Sequence, residues 1–205
     1  MDTKEKIMDV ALHMFSERGY EAVSIRDICG EVGIKESTLY YHFKNKQDIL
    51  DSLIDKFKKH IGELLGHIDE IPQVPSKKTK NSNPATNKII DSYMMESYLF
   101  DPFCNLMIRL MMIEQFHNEE IRKLYEKTMF TDPYEIQMNV MKRLSAQGLF
   151  SVKEAEQIVK QNHAYMTMLT YKYLLNGELT EERKKAYAKE VHALMGQSVP
   201  GGKKR

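Results

Sequence analysis

The sequence predicts an all-α chain, and three observations carry that reading. Apolar residues recur at three-and-four spacing throughout, and no useful length alternates apolar with polar. Glycine or proline stands at most places where the helical pattern stops. With 205 residues, 42% apolar and 29% charged, the composition is that of an ordinary soluble globular protein. The length suits one sizeable domain, or a small one joined to a larger. No run approaches the roughly 18 apolar residues that a spanning helix needs. The acid-containing start MDTKEKIMDVALHMF is not read as a signal peptide. Cys29 and Cys104 stand far apart without a partner pattern, so both are expected as small buried hydrophobes in a reducing cytoplasm.

The first helix is marked by Ile7, Val10, Ala11, Met14 and Phe15 on one stripe. Arg18 complements its carboxyl-end dipole, and Gly19 is a natural terminator. Ser24, with Asp27 three residues later, has the spacing of a capping box and opens a short second helix closed by Gly33. Lys35 to Phe43 gives a third, with Leu39 and Phe43 one turn apart. After Lys44-Asn45 a long run begins: Ile49, Leu50, Leu53, Ile54, Phe57, Ile61, Leu64, Leu65, Ile68. It keeps the helical period for roughly 35 Å, at about 1.5 Å per residue. Gly62 and Gly66 within it suggest close packing on a neighbour.

Residues 69–87, rich in proline and small polar residues, read as a mobile loop. The segment could serve as a lid, or Lys77, Lys78 and Lys80 could make a basic DNA contact, but a solvated connector is preferred. Helices resume at about 88–100, 103–116, 118–130, 133–147, 152–176 and 180–196, with Asp101-Pro102 and Asp132-Pro133 as boundaries. The tail GQSVPGGKKR is expected to fray.

Residues 24–46 carry the functional signal. A short helix, a tight turn containing Gly33 and a second short helix make the unit that lays a recognition helix in the DNA major groove. With Leu39 and Phe43 facing the core, Lys35, Glu36, Ser37, Thr38, Tyr41 and His42 lie on or near the outer side, suited to phosphates and base edges. Net charge pulls the other way. The chain is +1 overall, while residues 1–50 hold 7 basic and 9 acidic side chains, a net −2. A bulk basic footprint is missing, so DNA binding must rest on particular residues.

The head resembles the TetR family of transcriptional regulators. The resemblance runs through Ile7, Ala11, Phe15, Gly19-Tyr20, Ser24-Ile25-Arg26-Asp27-Ile28, Gly33-Ile34 and Thr38-Leu39-Tyr40-Tyr41-His42-Phe43-Lys44-Asn45-Lys46. It implies base or phosphate contacts from Arg26, Glu36, Ser37, Thr38, Tyr40, Tyr41, His42 and Lys46, with Tyr40 and Lys46 serving mainly the phosphates. Lys46 opens the fourth helix, whose dipole would help hold one phosphate. Lys35 stands where the family usually caps the recognition helix with serine or threonine, and Glu36-Ser37 replace a typical lysine and glycine. The expected organisation is a three-helix helix-turn-helix DNA-binding domain, 1–46, followed by a larger helical effector-binding and dimerisation domain, 47–205.

In that body, residues 164–176 (AYMTMLTYKYLLN) are apolar on more than one face, as in a core or a subunit seam. The last helix carries Tyr187, Val191, Leu194 and Met195 along one stripe. Helices 152–176 and 180–196 could pair with their copies as a four-helix bundle in a homodimer, and the resemblance points to the same pair. Tyr98, Phe103, Met107, Arg109, Met111, Tyr125, Met138, Tyr165, Met166 and Tyr171, with Met94 and Met95, could line a small-molecule pocket, although such residues more often form plain core. Arg109 lies in an otherwise apolar helix beside Asn105 and Glu114. It either pairs with Glu96 or Asp101 or binds an anionic ligand.

No cofactor or metal site is expected. Glu114 and His117 make a single Glu-x-x-His where a di-iron bundle needs two, and His60, Glu63 and His67 are read as solvated. Neither a nucleophile–base pair nor a phosphate-cradling glycine loop argues for an enzyme. The leading expectation is a dimeric repressor of operator DNA, released by a small-molecule effector and without membrane contact. An activator or ligand-independent DNA binder, and a protein-interaction module without DNA binding, are the alternatives.

Overall fold

The computed structural model describes residues 2–68, 98–146, 148 and 151–197. The expected loop at 69–87, most of the helix at 88–100 and nearly all of the tail lie outside them, as do Lys77, Lys78, Lys80, Met94, Met95 and Glu96. Every regular element described is helical. The elements are α1 (Thr3–Arg18), α2 (Ile25–Val32), α3 (Glu36–His42), α4 (Lys46–Ile68), α5 (Pro102–Glu114), α6 (Glu119–Glu126), a π-helical turn (Lys127–Thr131), α7 (Asp132–Ala146), α8 (Val152–Leu169), a second π-helical turn (Thr170–Leu175) and α9 (Glu181–Gln197).

Two compact units divide the chain: Met1–Ile71 with Asp101–Lys123, and Pro72–Phe100 with Leu124–Arg205. In the first unit, α1 packs on α5 and also meets α2, α3 and α4. Its stripe is the reason. Ile7, Ala11, Leu12 and Phe15 are fully or almost fully buried, with Ile28, Leu39, Phe43, Ile49, Leu50, Leu53, Phe57, Met107 and Met111 completing the core. α5 is apolar almost all round, with Cys104, Met107, Ile108, Leu110 and Met111 buried beside the polar Asn105 and Glu114. Asp101 caps it by accepting the Cys104 N–H at 2.8 Å, and Pro102 sits where a missing N–H costs nothing.

In the second unit, α7 packs on α8, and α9 packs on α8 and on the π turn that follows it. Ser151 and Glu154 form a capping box at the start of α8. Leu169, Leu174, Tyr187 and Val191 form a buried cluster, with Leu99, Phe100, Met166 and Tyr173 packed around it. The Thr170 hydroxyl donates to the Tyr187 oxygen at 3.3 Å within it. Tyr187 and Val191, expected on a stripe facing another copy, therefore look into the protomer's own core. Arg183 gathers the carbonyls that the second π turn leaves open, donating to Tyr173 O at 2.7 Å, Lys172 O at 3.0 Å and Asn176 O.

Two expectations need correction. Asp132-Pro133 does not interrupt the helix: Asp132 is αR, and its N–H reaches back five residues to Lys127 O. The wide turn gives the proline ring room where an α-helical carbonyl would clash, so the chain stays helical from α6 into α7. Gly62 marks no close approach among the described residues either, because a Cβ there would meet none of them within 4 Å.

Gly19 and Gly33 end helices in different ways, and substitution should separate them. Gly19 has φ 80 and ψ 157, a region essentially reserved for glycine, and an added Cβ would lie 3.3 Å from Glu114 Oε1. Gly33 has φ 77 and ψ 37, the left-handed region that asparagine tolerates, with open space around it. Gly19→Ala should cost about 1–3 kcal/mol of stability, and Gly33→Asn well under about 1 kcal/mol. Urea unfolding of both variants checks the order.

Candidate nucleic-acid interface

The outer face of the head is assembled from local signals. Ser24 caps α2 by accepting the Asp27 N–H at 3.1 Å, while Asp27 Oδ2 accepts the Ser24 N–H at 2.8 Å. These bonds hold the Asp27 carboxyl below its usual range, led by the Ser24 hydroxyl. Its capping contribution is thus complete above the ordinary carboxylate range and fades as pH falls through the lowered value. At the far end of α2, the N–H groups of Gly33 and Ile34 both reach Cys29 O, at 2.9 and 3.0 Å, and Lys6 Nζ donates to Val32 O at 3.0 Å. The turn then leads into α3 at Glu36.

α3 is held by two side chains. Leu39 is wholly buried and Phe43 nearly so. The opposite face is open: Lys35, Glu36, Ser37, Thr38, Tyr40 and Tyr41 are exposed, His42 is half-buried, and Arg26 on α2 is exposed as well. Tyr41 stands 85% exposed, its ring meeting that of His42 edge-on at 5.1 Å. A tyrosine left in water contributes nothing to the core, whereas its hydroxyl and ring can serve base edges and a thymine methyl.

Lys46, the first residue of α4, is held in place. Its Nζ donates to Tyr20 O at 2.8 Å and lies 4.1 Å above the Tyr20 ring, leaving two ammonium donors for a further acceptor. Asn45 Oδ1 accepts the Asp48 N–H at 2.9 Å and Asp48 Oδ2 accepts the Lys44 N–H at 2.8 Å, which fixes the entry into α4. The Tyr20 hydroxyl donates to Gln47 Oε1 at 3.1 Å. Burial, followed by nearby carboxylates, pushes that phenol up and keeps it a donor.

Glu114 is the residue that sequence reasoning missed. Its Oε1 accepts the Tyr20 N–H at 2.8 Å, across 94 positions, from the last turn of α5. The backbone of Tyr20 thus spans from Glu114 at its N–H to Lys46 at its carbonyl. No spacing in the sequence announces a bond over that separation. His117, its supposed partner in a Glu-x-x-His pair, is exposed.

The ligand candidates fall in both units. Phe103, Met107, Arg109 and Met111 belong to the first, with Met107 and Met111 buried and Phe103 and Arg109 half-buried. Tyr98, Tyr125, Met138, Tyr165, Met166 and Tyr171 belong to the second; Tyr98 and Met138 are buried, Tyr125 and Met166 half-buried, and Tyr165 and Tyr171 exposed. Burial, and after it the neighbouring Tyr171 phenol, push the Tyr125 phenol up. Of the acids expected near Arg109, Asp101 is engaged in capping α5.

Fold and exposed face together define a helix-turn-helix head on a helical body. Residues 7–53 match the profile of "Bacterial regulatory proteins, tetR family". The Staphylococcus epidermidis biofilm operon negative transcriptional regulator IcaR is 40% identical over 68 residues, which is 33% of this chain and 37% of that protein. The Shigella flexneri transcriptional regulator AcrR is 35% identical over 63 residues, 31% of this chain and 29% of that protein. The chain thus matches about a third of the length of these curated relatives. Over the whole chain the likeness is one of fold. A Saccharomonospora viridis protein solved with choline aligns with TM-score 0.65 at 21% identity, covering 95% of each chain. The fatty acid degradation regulator FadR of Bacillus halodurans aligns with TM-score 0.60 at 16% identity, covering 100% of this chain and 98% of that one.

The Tyr20 anchor is testable without DNA. Glu114→Ala leaves the Tyr20 N–H short of its acceptor and should cost about 1–3 kcal/mol, the penalty of a stranded buried donor. Glu114→Gln keeps a carbonyl oxygen and should recover most of it. Equal stability of the two variants in urea unfolding would remove Glu114 from this role.

Proposed function

We propose that the protein is a DNA-binding transcriptional regulator: a dimeric cytoplasmic repressor that leaves its operator when a small molecule binds the helical body. The observation that carries it is the open face of α3, where Thr38, Tyr40 and Tyr41 stand exposed over buried Leu39 and Phe43. The family-profile match of the head supports the same reading, and one matched relative is named a negative regulator. In this reading Thr38 and Tyr41 read bases, helped by Arg26, Lys35, Glu36, Ser37 and His42. Tyr40 and Lys46 hold phosphates, and Glu36 suits a cytosine amino group. No described helix is long and apolar enough to cross a membrane.

Dimerisation is supported by an uncovered apolar stripe. Tyr165 and Met168 on α8 and Tyr171 in the following π turn are 37%, 49% and 56% exposed, spaced three residues apart on one protomer. Their exposure favours a subunit seam over a pocket for Tyr165 and Tyr171. Effector binding in the body would bias a conformation with misplaced heads, and linkage then requires DNA to weaken effector binding by the same factor.

Two experiments test this. Tyr41→Ala should lose about 1–3 kcal/mol on an operator selected from random DNA, and much less on random duplex. Lys46→Ala should weaken both duplexes alike and lower the slope of log affinity against log salt by about 0.9 per subunit. Wild-type protein that bound neither duplex at low salt, without effector, would overturn the function. Separately, light scattering should give a dimer that Met168→Asp weakens; a monomeric wild type at micromolar concentration would overturn the seam.

A further inference from the structure

We propose that His60, Asp101 and Cys104 form a binding site for a thiophilic divalent cation of the zinc class. His60 comes from α4, and Asp101 and Cys104 come from the start of α5, within the same compact unit. One ligand atom from each residue lies within 4.8 Å of the other two. The Asp101–Cys104 half is rigid, because the Asp101 carboxylate caps the helix on the Cys104 N–H at 2.8 Å. The His60 ring is set against Phe103, edge to face at 6.3 Å.

The second observation is His60 Nε2. It is buried and has no hydrogen-bond partner. An imidazole nitrogen in that position loses water without replacement, which a lone-pair acceptor such as a metal ion restores. Of the other residues on its helix face, Glu63 pairs with Lys59 at 3.9 Å, while His67 lies outside the described side chains. The expectation of a solvated His60 is thereby corrected, and Cys104 gains a role beyond filling space.

The donor set selects the ion. One imidazole nitrogen, one carboxylate oxygen and one thiolate suit zinc and its analogue cobalt(II), and disfavour magnesium and calcium, which want oxygen alone. Tetrahedral zinc with bonds of about 2.0–2.3 Å sets its ligand atoms about 3.3–3.7 Å apart. Side-chain movement of about 1 Å therefore closes the site around an ion. Three protein ligands leave the fourth position for water or an exchangeable group. Burial, then the Asp101 charge and the hydrogen bond to it, hold the Cys104 thiol protonated and push its pKa far up. On binding, the S–H bond breaks, the sulfur electron pair forms the metal–sulfur bond, and the proton passes to solvent. No electron transfer is involved.

This site stands apart from the DNA-binding reading, and its test needs no DNA. Full-length protein, freed of metal by chelation, is titrated with cobalt(II). The expected result is one cobalt per chain, with tetrahedral visible bands, a sulfur-to-cobalt charge-transfer band, and their loss on adding zinc. Cys104→Ser should abolish the charge-transfer band. His60→Gln, with its fold checked by circular dichroism, should weaken binding more than about tenfold, the loss that follows removal of even a hydrogen-bond partner of a metal ligand. Absence of a thiolate band at millimolar cobalt in the wild type would overturn the proposal. So would an unchanged band in Cys104→Ser, which would assign it to Cys29.

Discussion

The backbone of Tyr20 carries the head. Its N–H is taken by Glu114 of α5 and its carbonyl by Lys46 of α4, each at 2.8 Å. The residue before it, Gly19, occupies backbone space that side chains avoid, and the Tyr20 ring packs on Phe15 and under the Lys46 ammonium. Helix α1, the entry to α4 and the last turn of α5 therefore meet at one residue. Helix α3 ends just before α4 begins, so its direction is set by the same joint. A residue whose two amide groups are both spoken for cannot drift without breaking a bond at each end.

The electrostatics of the head follow from that arrangement. With a net −2 over residues 1–50, the head has no broad positive field to draw DNA toward it. In the proposed DNA-binding reading, its cations would work by placement instead. Lys6 is spent on Val32 O and Lys46 partly on Tyr20 O, while Arg18 reaches Ala22 O. Arg26 and Lys35 remain exposed, as does Tyr41. In that reading, contacts made at short range, by hydroxyls and rings as much as by charge, would suit recognition of a chosen sequence more than general adhesion to phosphate.

The legible parts of the structure were those written in neighbouring residues. Gly19 and Gly33 as terminators, the Ser24–Asp27 box and the Leu39–Phe43 anchor of α3 all follow from spacings of one helical turn. The exposed face of α3 followed from the anchor. What stayed hidden depends on residues far apart. Glu114 meets Tyr20 across 94 positions, and His60 meets Cys104 from another helix, so neither pairing leaves a periodic trace. The last helix shows the limit of periodicity itself. The stripe of Tyr187 and Val191 was plain, but a stripe names no partner, and these side chains turn inward to Leu169 and Leu174. Asp132-Pro133 misled for a different reason: a proline breaks an α-helical register, and the chain here runs on a wider one.

That wider register ties chain length to helix phase. A π turn closes over five residues where an α turn closes over four, so Lys127–Thr131 holds one residue more than the flanking helices require. Removing a single residue there would let α6 and α7 join as one continuous α-helix with their faces still aligned. It would also bring Pro133 into a regular helix interior, where its ring meets a carbonyl. The site can therefore absorb a one-residue deletion only together with replacement of the proline.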